Sequence, residues 1–68
     1  MERKIKIVKL PQGTYVQDWQ YSQGNFEVVQ TPDIFNAIDF TGKEHGFKTF
    51  FRDIGAQMLD VTFTAKIN

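Results

Sequence analysis

Residues 41–56 constrain the fold of this chain most, because this segment alone has the length and pattern of an amphipathic helix. Its apolar residues follow the i, i+3, i+4, i+7 spacing that forms one stripe on a helix, and they are Phe47, Phe50, Phe51 and Ile54. Three phenylalanines in one stripe must be covered by a second layer, since a helix of this length is not stable alone in water. The segment therefore predicts a domain with a helix packed on a sheet.

Both ends of this predicted helix carry terminal signals. Thr41 and Glu44 match a capping box, in which each side chain accepts a hydrogen bond from a backbone N–H of the first turn. Gly55 suits the left-handed conformation that often ends a helix. Gly46 is unfavourable inside a helix, and its place near the stripe predicts close approach by the protein's own sheet or chain rather than by a partner.

Three strands are predicted before the helix, at residues 4–10, 14–21 and 25–31, with short turns that favour an antiparallel meander. In the first strand, the apolar residues move from one face to the other between Ile7 and Val8. This predicts either a bulge near residues 7–8 or a strand that is covered on both faces. In the second, simple alternation puts Tyr15, Trp19 and Tyr21 on one face together with Gln17, and Val16 on the other.

The segment between the third strand and the helix is expected to contain one helical turn, with Thr31 as its N-cap and Pro32 in the first helical position. Residues 37–40 are expected to return as a brief extended piece. After the helix, residues 59–67 alternate regularly between apolar and polar side chains and predict a last strand, which we place beside the first.

The predicted fold is a single small α+β domain over residues 1–68, with element order β-β-β-turn-β-α-β. It is a two-layer arrangement of an antiparallel meander of three to five strands with one amphipathic helix on one face. The opposite sheet face has no second helix to cover it, so its apolar side chains are expected to be exposed, to curl into a half-barrel or to meet another molecule.

The composition argues against an enzyme and against a cofactor or metal site. The chain has no cysteine and a single histidine, His45, which falls on the predicted solvent side of the helix. Its acidic residues lack EF-hand spacing, and its glycines are scattered rather than grouped into a phosphate-binding loop. No stretch has the ~20 apolar residues of a membrane span, and the basic start lacks the apolar run of a signal peptide. We therefore expect a cytoplasmic protein that does not act on a membrane.

Binding to a protein, either a partner or a second copy of this chain, is the predicted function. It follows from the uncovered sheet face and the aromatic content of 15%. The candidate partner-binding residues are Trp19, Tyr21 and Tyr15. The alternative is nucleic-acid binding through the basic first strand, whose candidate residues are Arg3, Lys4, Lys6 and Lys9. A formal net charge of zero gives no general attraction to nucleic acid.

A pattern that runs from residue 15 to residue 61 also resembles a known group of proteins. It reads YVQDW, then GNFEVVQTPDIFNAIDFTGKE from Gly24, and then IGAQMLDV from Ile54. This order resembles small uncharacterised proteins encoded in phages and prophages of Gram-positive bacteria. The resemblance implies an accessory protein of a mobile element, made in the cytoplasm of a bacterial host cell, that acts as a regulator or inhibitor of a host protein. It implies no catalytic residues.

Overall fold

The computed structural model describes residues 2–64. Four strands form one antiparallel sheet in the order β3-β2-β1-β4, and they are β1 (Glu2–Lys9), β2 (Tyr15–Ser22), β3 (Asn25–Thr31) and β4 (Gln57–Thr64). One helix, α1 (residues 44–54), precedes β4. The predicted α+β class is confirmed, and so is the position of the last strand beside the first. The predicted end of that strand, residues 65–67, lies outside the described residues.

Helix α1 is shorter and less regular than predicted. It starts as an α-helical turn at Glu44–Gly46, widens to π-helical geometry over Phe47–Phe51 and ends as a 3₁₀ turn over Arg52–Ile54. The wide turn takes up an additional residue, and the residues that follow it are displaced around the helix axis. Phe51 is therefore buried as predicted, whereas Ile54 is 49% exposed and does not belong to the packed stripe.

The predicted capping box does not form. Gly42 has a φ of 80°, which places it outside the helix, and the N-cap is Lys43, without a capping side chain. The Thr41 hydroxyl instead donates to the Asp39 carboxylate and accepts from the Lys6 N–H at 3.3 Å. Tertiary contacts to β1 thus outcompete the local cap. The predicted stop at Gly55 is confirmed, because its φ is 84°.

The sheet consists of two strand pairs that meet at one corner. β1 and β4 pair without interruption from Glu2↔Thr64 to Lys9↔Gln57, whereas β1 and β2 are joined only at Lys9↔Tyr15. Beyond that corner the two strands diverge, and the predicted extended return fills the gap. There the Ile38 N–H donates to the Val16 carbonyl at 2.9 Å and the Phe40 N–H donates to the Lys6 carbonyl at 2.7 Å.

A bulge at Gln17, between Val16 and Asp18, changes the predicted faces of β2. The bulge turns Val16 to the side of Trp19, where both pack in the core under α1. Tyr15 consequently lies on the opposite face, so the prediction that grouped it with Trp19 is wrong. For β1 the sequence left two alternatives, a bulge near residues 7–8 or cover on both faces of the strand. The second is correct, since the register of β1 with β4 shows no bulge.

The main core lies between the sheet and α1. Its buried residues are Val8, Leu10, Val16, Phe40, Phe51 and Ala56, and half-buried aromatic and aliphatic side chains surround them. A smaller apolar group lies on the other face of β1 and β4. There Ile5 and Ile7 are buried, and their direct cross-strand neighbours Val61 and Leu59 share their face.

A capped turn at Ile34–Asn36 follows β3 on the way to this second face. Its N-cap is Asp33 rather than the predicted Thr31, because the Asp33 carboxylate accepts from the Phe35 N–H at 2.9 Å. The Thr31 hydroxyl accepts from the Asp33 N–H at 3.1 Å, and this hydrogen bond helps to hold the capping residue in place.

Candidate functional site

Trp19, the first predicted anchor for a partner, is part of the core under α1. Its ring centroid lies 5.4 to 6.2 Å from those of four phenylalanines, which are Phe26, Phe40, Phe50 and Phe51. A side chain enclosed in this way contributes mainly to the packing of helix on sheet.

Gly46 is the point where α1 comes closest to Trp19. A Cβ at this position would lie 3.2 and 3.3 Å from two atoms of the six-membered part of the indole ring. The prediction that the chain's own sheet approaches Gly46 is thereby confirmed. The glycine allows the helix to rest directly on the ring.

Tyr21 and Tyr15, the other two predicted anchors, lie far from each other in the sheet. Tyr21 is 53% exposed at the end of β2, and its ring centroid is 4.9 Å from that of Phe50. Tyr15 is half-buried at the corner, opposite Lys9 on one side and Thr31 on the other. The three predicted anchors therefore do not form a common surface.

Phe35 is the most exposed large apolar side chain among residues 2–64, with 76% of its surface accessible. It projects from the capped turn Ile34–Asn36, and its ring centroid lies 5.6 Å from that of Phe63 on β4. Phe63 lies on the same sheet face as Val61 and Leu59, because alternate residues of a strand point to the same side. We call these four residues, Phe35, Leu59, Val61 and Phe63, the Phe35 patch.

Sequence reasoning missed the central member of the Phe35 patch. Phe35 belongs to neither the helical stripe nor a strand alternation, so periodicity could not assign it to a face. One signal was present: Pro32 and Asp33 favour a turn, and turns lie at the protein surface, so a phenylalanine two positions after Asp33 was a candidate for exposure.

The four basic residues predicted for nucleic-acid binding lie on β1 but point to two different faces. Arg3 and Lys9 share one side of the sheet, and Lys4 and Lys6 share the other. Arg3 also lies 3.9 Å from the Asp39 carboxylate, and the Lys6 ammonium lies 3.2 Å from that of Asp60. This distribution does not give a single basic strip that could follow a phosphate backbone.

Among the titratable groups of residues 2–64, Asp39 is the one whose environment clearly shifts its pKa. The hydrogen bond from the Thr41 hydroxyl holds the pKa of the Asp39 carboxyl below its usual value, with the Thr41 backbone N–H as the next cause. Partial burial acts in the opposite direction, while the Lys6 N–H and the charge of Arg3 lower the pKa further. Through its contacts with the Lys6 N–H and with Arg3, the Asp39 carboxylate connects residues 39–41 to β1, so its role is structural.

The described residues contain a groove of about 230 Å³ beside β1 and β4, lined by Lys4, Ile5, Lys6, Thr41, Asp60, Val61 and Thr62. Its lining contains no pairing of a nucleophile with a base. Within residues 2–64, no three His, Asp or Glu side chains are placed to hold a metal ion. His45 is exposed on α1. None of the helices found between residues 2 and 64 has the length and apolar character needed to cross a membrane.

Comparison with known proteins does not assign this chain to a family. No protein-family model matches it, and neither a curated protein nor a solved structure shows a significant match.

Proposed function

We propose that this chain is a small non-enzymatic protein-binding module that contacts its partner through the Phe35 patch. The observation that carries the proposal is the 76% exposure of Phe35. A phenylalanine exposed to this extent leaves a large apolar surface in water, and aromatic side chains are enriched at protein interfaces. Burial of that ring by a partner would therefore be strongly favourable.

The turn that carries Phe35 supports this role because it holds the ring in place before binding. The Asp33 carboxylate accepts from the Phe35 N–H, and the Asn36 N–H donates to the Asp33 carbonyl at 3.0 Å. On the other side, the ring packs against Phe63. A side chain already ordered in this way loses little conformational entropy when a partner covers it.

The surroundings of Phe35 resemble the usual arrangement of an interface, with an apolar centre and a polar rim. Leu59, Val61 and Phe63 extend the apolar centre along β4, where each is half-buried. Arg3, directly opposite Phe63, supplies charge at the margin. The resemblance to phage and prophage proteins supports a bacterial host protein as the partner, with regulation or inhibition as the outcome of binding.

The test is capture of binding proteins from an extract of Gram-positive cells, followed by titration of the purified partner. Phe35→Ala is expected to change the free energy of unfolding by less than about 0.5 kcal/mol, because the ring is mostly exposed. It should weaken partner binding by roughly thirty-fold, the size of a hot-spot loss. Ile54→Ala, at an exposed aliphatic residue of α1, is the matched control and should bind as the wild type does.

Two results would contradict this proposal, and each would point to a different binding surface. If Tyr21→Ala abolishes binding while Phe35→Ala does not, the binding surface lies at the end of β2 instead. If a mobility-shift assay shows salt-sensitive binding of DNA or RNA that Lys4→Glu with Lys6→Glu removes, the chain acts on nucleic acid through β1.

A further inference from the structure

We propose that two copies of this chain associate through β4, which pairs antiparallel with β4 of a second copy about a two-fold axis at Val61. This inference concerns the strand edge rather than the Phe35 patch, and it holds whether or not the proposed function is correct. β4 is the last strand in the order β3-β2-β1-β4, so the described part of the chain places no strand on its outer side.

The outward direction of the β4 backbone follows from the ladder with β1. The Lys6 carbonyl accepts from the Phe40 N–H, so the Lys6 backbone points away from β4. Lys6↔Asp60 is therefore a pair without mutual hydrogen bonds, and such pairs alternate with hydrogen-bonded ones in an antiparallel ladder. The backbone groups available at the outer edge are consequently those of the even-numbered residues, which are Met58, Asp60, Thr62 and Thr64.

β4 carries few of the features that protect edge strands from pairing. Its sequence, QMLDVTFT, contains no Lys, Arg, Pro or Gly and only one charged residue, Asp60. Its eight pairs with β1 run in unbroken register, which leaves the strand regular along its length. The other edge strand, β3, has a similar composition, with Glu27 as its one charged residue, but it is one residue shorter and pairs with the bulged strand β2.

A second copy of β4 is the occupant that fits this edge, because the strand is complementary to itself in the register centred on Val61. With Val61 opposite Val61 of the second copy, Leu59 lies opposite Phe63 and Asp60 lies opposite Thr62. Every described residue from Met58 to Thr64 then has an opposite neighbour. The single carboxylate faces a hydroxyl, Met58 faces Thr64, and the apolar residues Leu59, Val61 and Phe63 face one another.

The registers centred on Asp60 and on Leu59 fit less well than the one centred on Val61. Centring the pair on Asp60 would set two carboxylates directly against each other, which is unfavourable. Centring it on Leu59 would leave Phe63 without an opposite neighbour. The Val61 register forms about eight backbone hydrogen bonds, as expected for four hydrogen-bonded residue pairs that exchange two bonds each. It also joins the apolar side chains of the two β4 strands into one continuous strip.

Thr62 offers a test in which self-association and folding respond in opposite directions. In the second copy its opposite neighbour is Asp60, whereas within its own chain its neighbour is Lys4. Thr62→Asp should therefore weaken self-association about ten-fold, because it sets two carboxylates opposite each other twice, although the attraction to Lys4 gives this variant a higher Tm than Thr62→Lys. Thr62→Lys should strengthen self-association about ten-fold despite its lower Tm.

The measurement is sedimentation velocity from micromolar concentration up to roughly 1 mM, with Tm measured at the lowest concentration. The wild type should reach twice its monomer mass of 7.9 kDa. Thr49→Asp makes the same change of charge on the exposed side of α1 and should leave the association unchanged. A wild type that remains monomeric overturns the proposal, and so does an association that all three variants change equally or not at all.

The register has a separate test, because the chain contains no cysteine. Val61→Cys would place two thiols across the axis in a pair without mutual hydrogen bonds, where Cα atoms are about 4.5 Å apart and a disulfide can form. Mild oxidation should therefore give a covalent dimer of Val61→Cys. Leu59→Cys is the control, since its two thiols would be separated by about four residues along the strand, roughly 13 Å. Equal cross-linking of both variants, or of neither, would overturn the assigned register.

Discussion

Replacing Gly46 with Ala tests whether α1 rests on Trp19 as closely as the structure shows. In an ordinary helix this change is favourable by about 1 kcal/mol, because alanine loses less conformational entropy than glycine. The φ of Gly46 is −61°, so an added Cβ causes no backbone strain. The indole ring of Trp19, however, lies 3.2 and 3.3 Å from the position that the Cβ would occupy, and one of the two must move.

Trp19 has little room to move. Four phenylalanine rings surround it, and the closest, that of Phe50, lies 5.4 Å away between centroids. Overpacking of a filled core costs about 1 to 3 kcal/mol. Subtracting the propensity gain of about 1 kcal/mol from the middle of that range leaves a net loss of about 1 kcal/mol in the free energy of unfolding for Gly46→Ala. In a domain of this size, that loss lowers the Tm by about 4 to 8 °C.

A double-mutant cycle with Trp19→Phe isolates the contact. The two ring atoms nearest to Gly46 lie at the distal edge of the indole, and the smaller phenylalanine ring has no atoms that reach as far. In the Trp19→Phe background, Gly46→Ala should therefore stabilise the fold by about 1 kcal/mol, giving a coupling energy of about 2 kcal/mol. Urea unfolding of the four proteins measures both quantities. If Gly46→Ala raises the stability of the wild type, or if the coupling is zero, the packing argument fails.

Two further predictions concern residues in the loops on either side of α1. The folded-state pKa of Asp39 is lowered from its usual value of 3.8, so its contribution to stability is complete above about pH 4 and is lost as the pH falls through the folded value. Thr41→Val removes the hydroxyl that is the main cause, and an NMR titration should show the Asp39 pKa rising toward 3.8; an unchanged pKa would contradict the assignment. Gly55→Ala should lower the Tm more than Gly42→Ala does. Both glycines have φ values near +80°, but an added Cβ would approach the Pro11 ring to 3.3 Å at Gly55 and nothing within 4 Å at Gly42, so equal losses would refute the role of that contact.

Strand positions, the place of β4 beside β1 and the stop at Gly55 were predictable from the sequence. The strand positions and the stop depend on local signals, namely alternation and turn residues, whereas the place of β4 was predicted from the need to cover an edge of the meander. The capping box was a local signal too, but the prediction was wrong because the Thr41 hydroxyl forms other hydrogen bonds in the folded protein. Its hydroxyl serves Asp39 and the Lys6 backbone, and only the tertiary structure brings β1 next to that segment.

The bulge at Gln17 explains why the aromatic residues of β2 were wrongly grouped. Gln17 and Asp18 are both exposed and polar, so the interruption of alternation leaves no trace in the hydrophobic pattern. The Phe35 patch was missed for a related reason. Its members come from a turn and from a strand far along the chain, and sequence patterns describe neighbours within one element rather than contacts between elements.

The pairing of β1 with β4 also determines the order in which parts of the sheet can form during folding. β2 and β3 are joined by a tight hairpin that closes at Ser22↔Asn25, three positions apart. The nearest pair of β1 with β4, Lys9↔Gln57, closes a loop of 48 positions, and the corresponding loss of chain entropy is about 2.5 kcal/mol greater than for the hairpin. During synthesis β1 leaves the ribosome before β4, so its longest strand pairing can form only after β4 has followed. Until then its apolar residues Ile5, Ile7 and Val8 lack their neighbouring strand, and we expect the lysines of β1 to oppose intermolecular pairing of the exposed segment.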